Sequence, residues 1–163
     1  MTTTLFTNAH IATGEPGSTA ASTLPLQDIL VTDGVFTAFG PGLAQQYEAQ
    51  GGDLAAIEVV DLGGKLVCPP FCDTHLHLDY VFTARKPGAV NESGTLFEGI
   101  QRWSETKSDL TVDEIKQRAK IGIKKEMLHG VQLIRSHADV TDPNLTSLKA
   151  LLELKEELKD TVT

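Results

Sequence analysis

Two adjacent prolines, Pro69-Pro70, divide this chain into halves of different periodicity, and that change limits its architecture more than any other feature. The residues ahead of them read as short strands joined by turns. Leu5–Ile11 is a first apolar segment, and Gly14–Thr23, rich in Gly, Ser and Ala, is a loop. Ile29–Thr32, Asp33-Gly34 and Val35–Phe39 carry a hairpin signal, because Asp-Gly accepts the positive φ angles of a tight primed turn. Gly40–Asp53 reads as a polar connection. Ile57–Leu62, Gly63-Gly64 and Lys65–Val67 form a second hairpin candidate.

Beyond the prolines the pattern alternates between strand and helix. Phe71–Tyr80 reads as a short strand, residues 85–95 as a loop, and Thr95–Ser104 as the start of a helical stretch. Residues 111–129 carry the clearest helical pattern. Thr111 and Glu114 make a capping box, Ile115, Ala119, Ile123 and Met127 share a face, and Gly130 stands at the stop position. Val131–Ile134 is a buried-type strand that ends in Arg135-Ser136-His137. Asp142-Pro143 opens a last helix, with proline at its first position, that runs to about Asp160. Leu145, Leu148, Leu151, Leu152 and Leu158 form its apolar stripe, and Lys149 and Glu153 lie one turn apart on its solvated side. Strand, helix, strand, helix is the beginning of a β/α repeat with parallel strands. The expected fold class is therefore α/β, with a β unit over residues 1–67 and a β/α unit over 68–163.

Bulk properties remove several function classes. The net charge is −8 and no basic patch is visible, so no nucleic-acid partner is expected. No apolar run approaches the roughly 18 residues of a membrane span, and the N-terminal residues lack the pattern of a signal peptide, so no membrane partner is expected. Cys68 and Cys72 do not make a disulfide framework and read as two small buried side chains. A reducing cytoplasm is the natural setting.

The chemistry lies in Asp73-Thr74-His75-Leu76-His77-Leu78-Asp79. Alternate side chains of a strand share a face, so His75 and His77 point the same way, close enough to share one cation. Imidazole suits zinc and also iron, which makes the two histidines candidate metal ligands for one divalent ion, Fe2+ or Zn2+. Asp73 and Asp79 share that face and are candidates to orient the imidazoles from behind. His-x-His alone is a weak signal, and the other reading is a pair of exposed or core histidines. Its position strengthens it, because a β/α barrel takes its catalytic groups from the C-terminal ends of its strands. His137 ends the next strand and reads as a substrate contact or as a hydrogen-bonded structural histidine. His129 sits in the last turn of a helix, where its charge suits the dipole. No P-loop or dinucleotide fingerprint is present, and no histidine has glutamate two residues later.

Asp28–Gly40, Asp61-Leu-Gly-Gly-Lys-Leu-Val and Pro69-Pro-Phe-Cys-Asp-Thr-His-Leu-His-Leu-Asp79 resemble the start of an amidohydrolase-superfamily enzyme. Ser93-Gly-Thr-Leu-Phe-Glu-Gly-Ile-Gln-Arg-Trp103 and Arg135-Ser-His-Ala-Asp-Val140 are similar to the TIM-barrel cytosine deaminases. Pro70, where many amidohydrolases have glycine, fits that branch. Tyr80–Val90 and the loop at residues 12–27 depart from it.

The resemblance implies the N-terminal part of a composite β-sandwich followed by the first two β/α units of an incomplete barrel. It implies that His75 and His77 are the ligands of the first barrel strand and that Leu96 lines a pyrimidine pocket. The remaining ligands and the acid/base residue of the family would lie beyond residue 163, so no catalytic residue is expected within this chain. The implied activity is metal-dependent hydrolytic deamination of an aminated pyrimidine or related heterocycle, a step of pyrimidine metabolism. Hydrolysis of another C–N bond, in a cyclic amide or an N-alkyl triazine, is the alternative, and a non-catalytic truncated fragment is a third. The expected partners are a small heterocyclic substrate and further copies of the chain in a homo-oligomer. The 163 residues alone are expected to be inactive.

Overall fold

The computed structural model describes residues 2–12, 25–85 and 88–163. The loop expected over Gly14–Thr23 lies outside the described residues. The chain divides into two compact units, Met1–Pro69 and Pro70–Thr163. The whole is mixed α/β.

In the first unit, strands β1 (Thr3–Ile11), β2 (Leu26–Thr32), β3 (Val35–Gly40), β4 (Glu58–Asp61) and β5 (Leu66–Val67) form one sheet. The β2–β3 hairpin turns at Asp33-Gly34, both at positive φ, as the sequence predicts. The second hairpin does not form. β4 and β5 instead run parallel to β1 on the same side, pairing with Thr4–Thr7 and with His10 and Ile11. The reason is a defect that the three strands share. Asn8 adopts a φ of 57°, and the β1 register breaks between Phe6 and Ala9. Opposite that break, Gly63 and Gly64 take the left-handed region. The Asp61 carboxylate accepts from Asn8 Nδ2 at 2.9 Å and from the Gly63 amide at 2.8 Å, which joins the two irregularities.

Gly40–Asp53 is not merely a connection, since it contains helix α1 (Leu43–Ala49). Leu43 is buried, and its amide donates to the nearly buried Asp28 carboxylate, which also accepts from Asn8. One long-range carboxylate, absent from any local pattern, thus holds this short helix.

In the second unit, β6 (Phe71–Leu76) and β7 (Val131–Ser136) are parallel neighbours. Helices α2 (Leu96–Lys107) and α3 (Val112–Leu128) cross between them, and α4 (Thr146–Glu157) follows. β6 is shorter than the predicted Phe71–Tyr80, because the chain turns after Leu76. Thr111 caps α3 through the Glu114 amide. Gly130 ends that helix at φ 87°, where a Cβ would crowd the Phe71 ring.

α4 begins later than predicted. Leu145 takes a φ of 52°, and Asp142 caps the Asn144 and Thr146 amides ahead of the helix, so Pro143 is not its first residue. Glu153 pairs with Lys116 of α3 at 2.8 Å rather than serving its own helix alone. The core of this unit gathers Leu78, Ala119, Ile123 and Leu154, with a second cluster at Leu110, Ile115 and Ala150. Cys68 and Cys72 are exposed and free, contrary to the expected burial, Cys68 in the segment after β5 and Cys72 on the exposed start of β6. Among the described residues no helix is long and apolar enough to cross a membrane.

Candidate functional site

The C-terminal ends of β6 and β7 bring the chemistry together. The His137 amide donates to the Leu76 carbonyl at 2.8 Å, and the Leu78 amide donates to Ser136 Oγ at 3.2 Å. These bonds hold the residue after each strand against its neighbour. His75, His77 and His137 therefore form one ring cluster, with centroid separations of 5.4 Å for His75–His77, 4.3 Å for His75–His137 and 5.2 Å for His77–His137.

The His75–His77 pair fits a shared ion. A zinc–nitrogen bond of about 2.0–2.1 Å puts each ring centre roughly 3 Å from the metal, so two ligating rings lie within about 6 Å of each other. The observed separation satisfies that limit. His137 packs its ring on the other two at interplanar angles of 40° and 30°. Among the described residues no group of three or more His, Cys, Asp or Glu side chains is arranged to hold an ion. His75 and His77 are thus candidate ligands for one ion. Burial lowers the His137 pKa, and the neighbouring His75, His77 and Arg135 lower it further, which favours a neutral ring.

The two aspartates have different surroundings. The Asp73 carboxylate accepts from the His75 backbone amide at 2.9 Å, which shapes the strand locally. Asp79 is fully buried, with one carboxylate oxygen 3.9 Å from His77 Nδ1. Arg118 of α3 grips the turn that follows, donating to the carbonyls of Val81 at 2.6 Å and Asp79 at 3.2 Å.

A cavity of about 680 Å³ opens beside the cluster, lined by His77, Tyr80, Leu96, Ile100, Trp103 and Asp139 among others. Leu96, the predicted pocket residue, starts α2 and is 74% exposed. Its helix is capped by Thr95, and Glu98 collects the amides of Glu92 and Ser93, which tie the preceding loop down. These bonds from Ser93 and Glu92 hold the Glu98 pKa down at about 2.

Sequence reasoning assigned no role to Tyr80, Trp103, Asp139 or Arg118. The available signals were that Trp103 is the single tryptophan and that Asp139 lies in the Arg135–Val140 motif. Tyr80 stacks on His77 at 4.8 Å and meets Trp103 at 5.1 Å. Trp103 Nε1 donates to Asp139 at 2.5 Å.

Burial by itself would raise the Asp139 pKa, but hydrogen bonds from Thr141, Trp103 and Lys107 outweigh it and hold the group well below the usual carboxylate range. A depressed folded pKa means that the stability from this carboxylate is fully present above the unfolded value of about 3.9 and is lost as pH falls through the folded one. The unfolding free energy of wild type minus that of Asp139→Asn is expected to stay constant from about pH 7 to 5 and to shrink below about pH 4. A difference that grows on acidification would contradict the assignment.

A model of the Amidohydrolase family matches residues 58–153. The N-isopropylammelide isopropyl amidohydrolase of Pseudomonas sp. (strain ADP) is 35% identical over 107 residues, covering 63% of this chain and 27% of that protein. A pterin deaminase of Rhizobium rhizogenes (strain K84 / ATCC BAA-868) is 25% identical over 139 residues, covering 83% of this chain and 29% of the relative. The crystal structure of 5-methylcytosine deaminase from Klebsiella pneumoniae, liganded with 5-fluorocytosine, superimposes with a TM-score of 0.76 at 37% identity. That match covers 97% of this chain and 34% of the deaminase. The chain thus spans about a quarter to a third of the length of these relatives.

Proposed function

Because this chain belongs to the amidohydrolase family, whose members are metal-dependent hydrolases of C–N bonds, we propose that it contributes the first metal-binding strand and one pocket wall of a deaminase acting on an amino-substituted heterocycle such as cytosine. The observation that carries this reading is that His77, the ring neighbour of His75, lines the cavity together with Leu96, Ile100 and Trp103. In this reading the Pro70–Thr163 unit is the opening of a (β/α)8 barrel, and the Met1–Pro69 sheet is part of a β-sandwich. The backbone of Thr163 supports the barrel: its amide donates to Gln132 at 3.0 Å and its carbonyl accepts from Ile134 at 2.7 Å, as a parallel neighbour of β7 would.

Each residue has a stated task in this reading. His75 and His77 would hold one iron or zinc ion, which when bound supplies the Lewis acidity that activates water near neutral pH. Asp79, with one oxygen 3.9 Å from His77 Nδ1, would orient that ring. Leu96 and Ile100 offer an apolar wall to the flat face of a heterocycle, and a neutral His137 offers one donor and one acceptor at its edge. The overall reaction adds water and releases ammonia, leaving an oxo group where the amine stood. Two imidazoles are fewer than the three protein ligands usual in a catalytic zinc site, so the 163 residues by themselves are expected to bind without turnover.

The Pseudomonas relative favours a second reading, hydrolysis of an N-alkyl bond on a triazine ring. Release of ammonia or of isopropylamine, measured over a panel of cytosines and triazines, separates the two in any longer protein that carries this chain. In that protein Leu96→Ala is expected to change the ranking of substrates by about tenfold while leaving folding intact, since one pocket contact is worth roughly 1–3 kcal/mol. An unchanged ranking would remove Leu96 from the pocket.

A further inference from the structure

Asp79 is fully buried, and its two oxygens have different surroundings. Oδ2 accepts the backbone amide of Asp139 at 2.8 Å. Oδ1 has no hydrogen-bond partner and lies 3.9 Å from His77 Nδ1. A buried carboxylate oxygen without a donor is costly. A modest turn of the imidazole brings an Nδ1–H within reach and leaves Nε2 with the free lone pair.

Asp139 is itself tied in two directions. Its carboxylate accepts from Trp103 Nε1 at 2.5 Å, from Lys107 Nζ at 3.1 Å and from the Thr141 amide at 2.7 Å. The Thr141 contact alone would shape the local turn. The bonds to α2 reach back across 36 and 32 positions, which a local turn does not require. Trp103 then meets Tyr80, and Tyr80 stacks on His77. Two routes therefore run from Asp139 to His77, one through its amide and Asp79, the other through its carboxylate, Trp103 and Tyr80.

We propose that Asp139 is a positioning residue that holds His77 in its Nδ1–H form and, through Trp103, fixes α2 as the wall of the cavity. The functional weight of this inference rests on the ligand role of His77 proposed above. Asp139 lines the cavity, and in this proposal it acts through Asp79 and Trp103. It makes the orientation of a ligand and the position of the pocket wall depend on each other, and such coupling is reciprocal.

The test uses the metal-free 163-residue chain at about pH 8, above the ordinary imidazole pKa of about 6.5. Long-range proton–nitrogen NMR of the His77 ring reads its tautomer, and Trp103 emission reads α2. Wild type is expected to hold His77 mainly as Nδ1–H. Asp139→Ala is expected to shift the tautomer ratio about tenfold toward Nε2–H, the scale on which outer partners affect a ligand, and to move Trp103 emission to the red. Trp103→Phe keeps a ring and loses the donor, so it should shift His77 the same way by less. A Trp103→Phe protein that stays folded with the wild-type tautomer ratio would overturn the proposal, as would an Asp139→Ala protein that frees Trp103 and leaves His77 unmoved. Zinc titration of the same samples addresses the other claim separately. A chain with the expected tautomer shifts and no zinc binding would sink the metal reading and leave the positioning role in place.

Discussion

Ile115→Ala is expected to lower the unfolding free energy of the Pro70–Thr163 unit by about 3–4 kcal/mol, within the range for truncating a buried isoleucine. Ile115 is wholly inaccessible and packs with Leu110 and Ala150, against Trp103 and Val112. It is where α3 meets α4 and where the foot of α2 arrives. Removing three carbons there leaves a cavity under the helix that carries the pocket wall. Alanine has the better helix propensity, which offsets only a few tenths of a kcal/mol. A small domain has roughly 5–15 kcal/mol in total, so the loss is a large share.

Urea unfolding followed by tryptophan fluorescence measures it cleanly, because Trp103 is the only tryptophan and reports on this unit. Ile121→Ala is the control. Ile121 is on the same helix but 54% exposed, and its substitution should change stability by no more than about 0.5 kcal/mol. A loss below about 1 kcal/mol at Ile115 would mean that the α3–α4 contact is not the core of the unit.

How much of this was legible in the sequence depended on whether the cause was local. The Asp33-Gly34 hairpin and the Thr111 cap of α3 lie in three or four consecutive residues, so the pattern revealed them. The periodic face of α3 was legible for the same reason, and Ile115, Ala119 and Ile123 are buried as the spacing predicts.

Features made by distant partners were not legible. α1 depends on Asp28 reaching Leu43, and the parallel placement of β4 and β5 depends on Asn8 and Asp61 meeting across the sheet. Glu153 looked like a partner for Lys149, but Lys116 of another helix takes it. Proline after a capping aspartate suggested the start of α4, and only the backbone at Leu145 shows the delay.

The candidate site divides in the same way. His75 and His77 announce themselves by spacing on a strand, and the cavity beside them includes the Leu96 singled out from the motif. Tyr80, Trp103 and Asp139 carry no spacing signal, because they come from three separate segments that meet only when β6 and β7 pair.

In the proposed function His75 and His77 together hold a divalent ion. A large effect is expected, since two imidazoles on one strand end supply the binding and neither ring alone forms a chelate. The His75→Ala, His77→Ala double variant leaves both Asp79 and the hydrophobic core of the unit in place, so folding should survive by circular dichroism. The most direct measurement is calorimetric titration of zinc into the 163-residue chain and into that double variant, side by side at about pH 7.5, above the ordinary imidazole pKa. One ion is expected to bind the wild-type chain and none the variant. Equal stoichiometry and affinity in the two proteins would contradict the proposal.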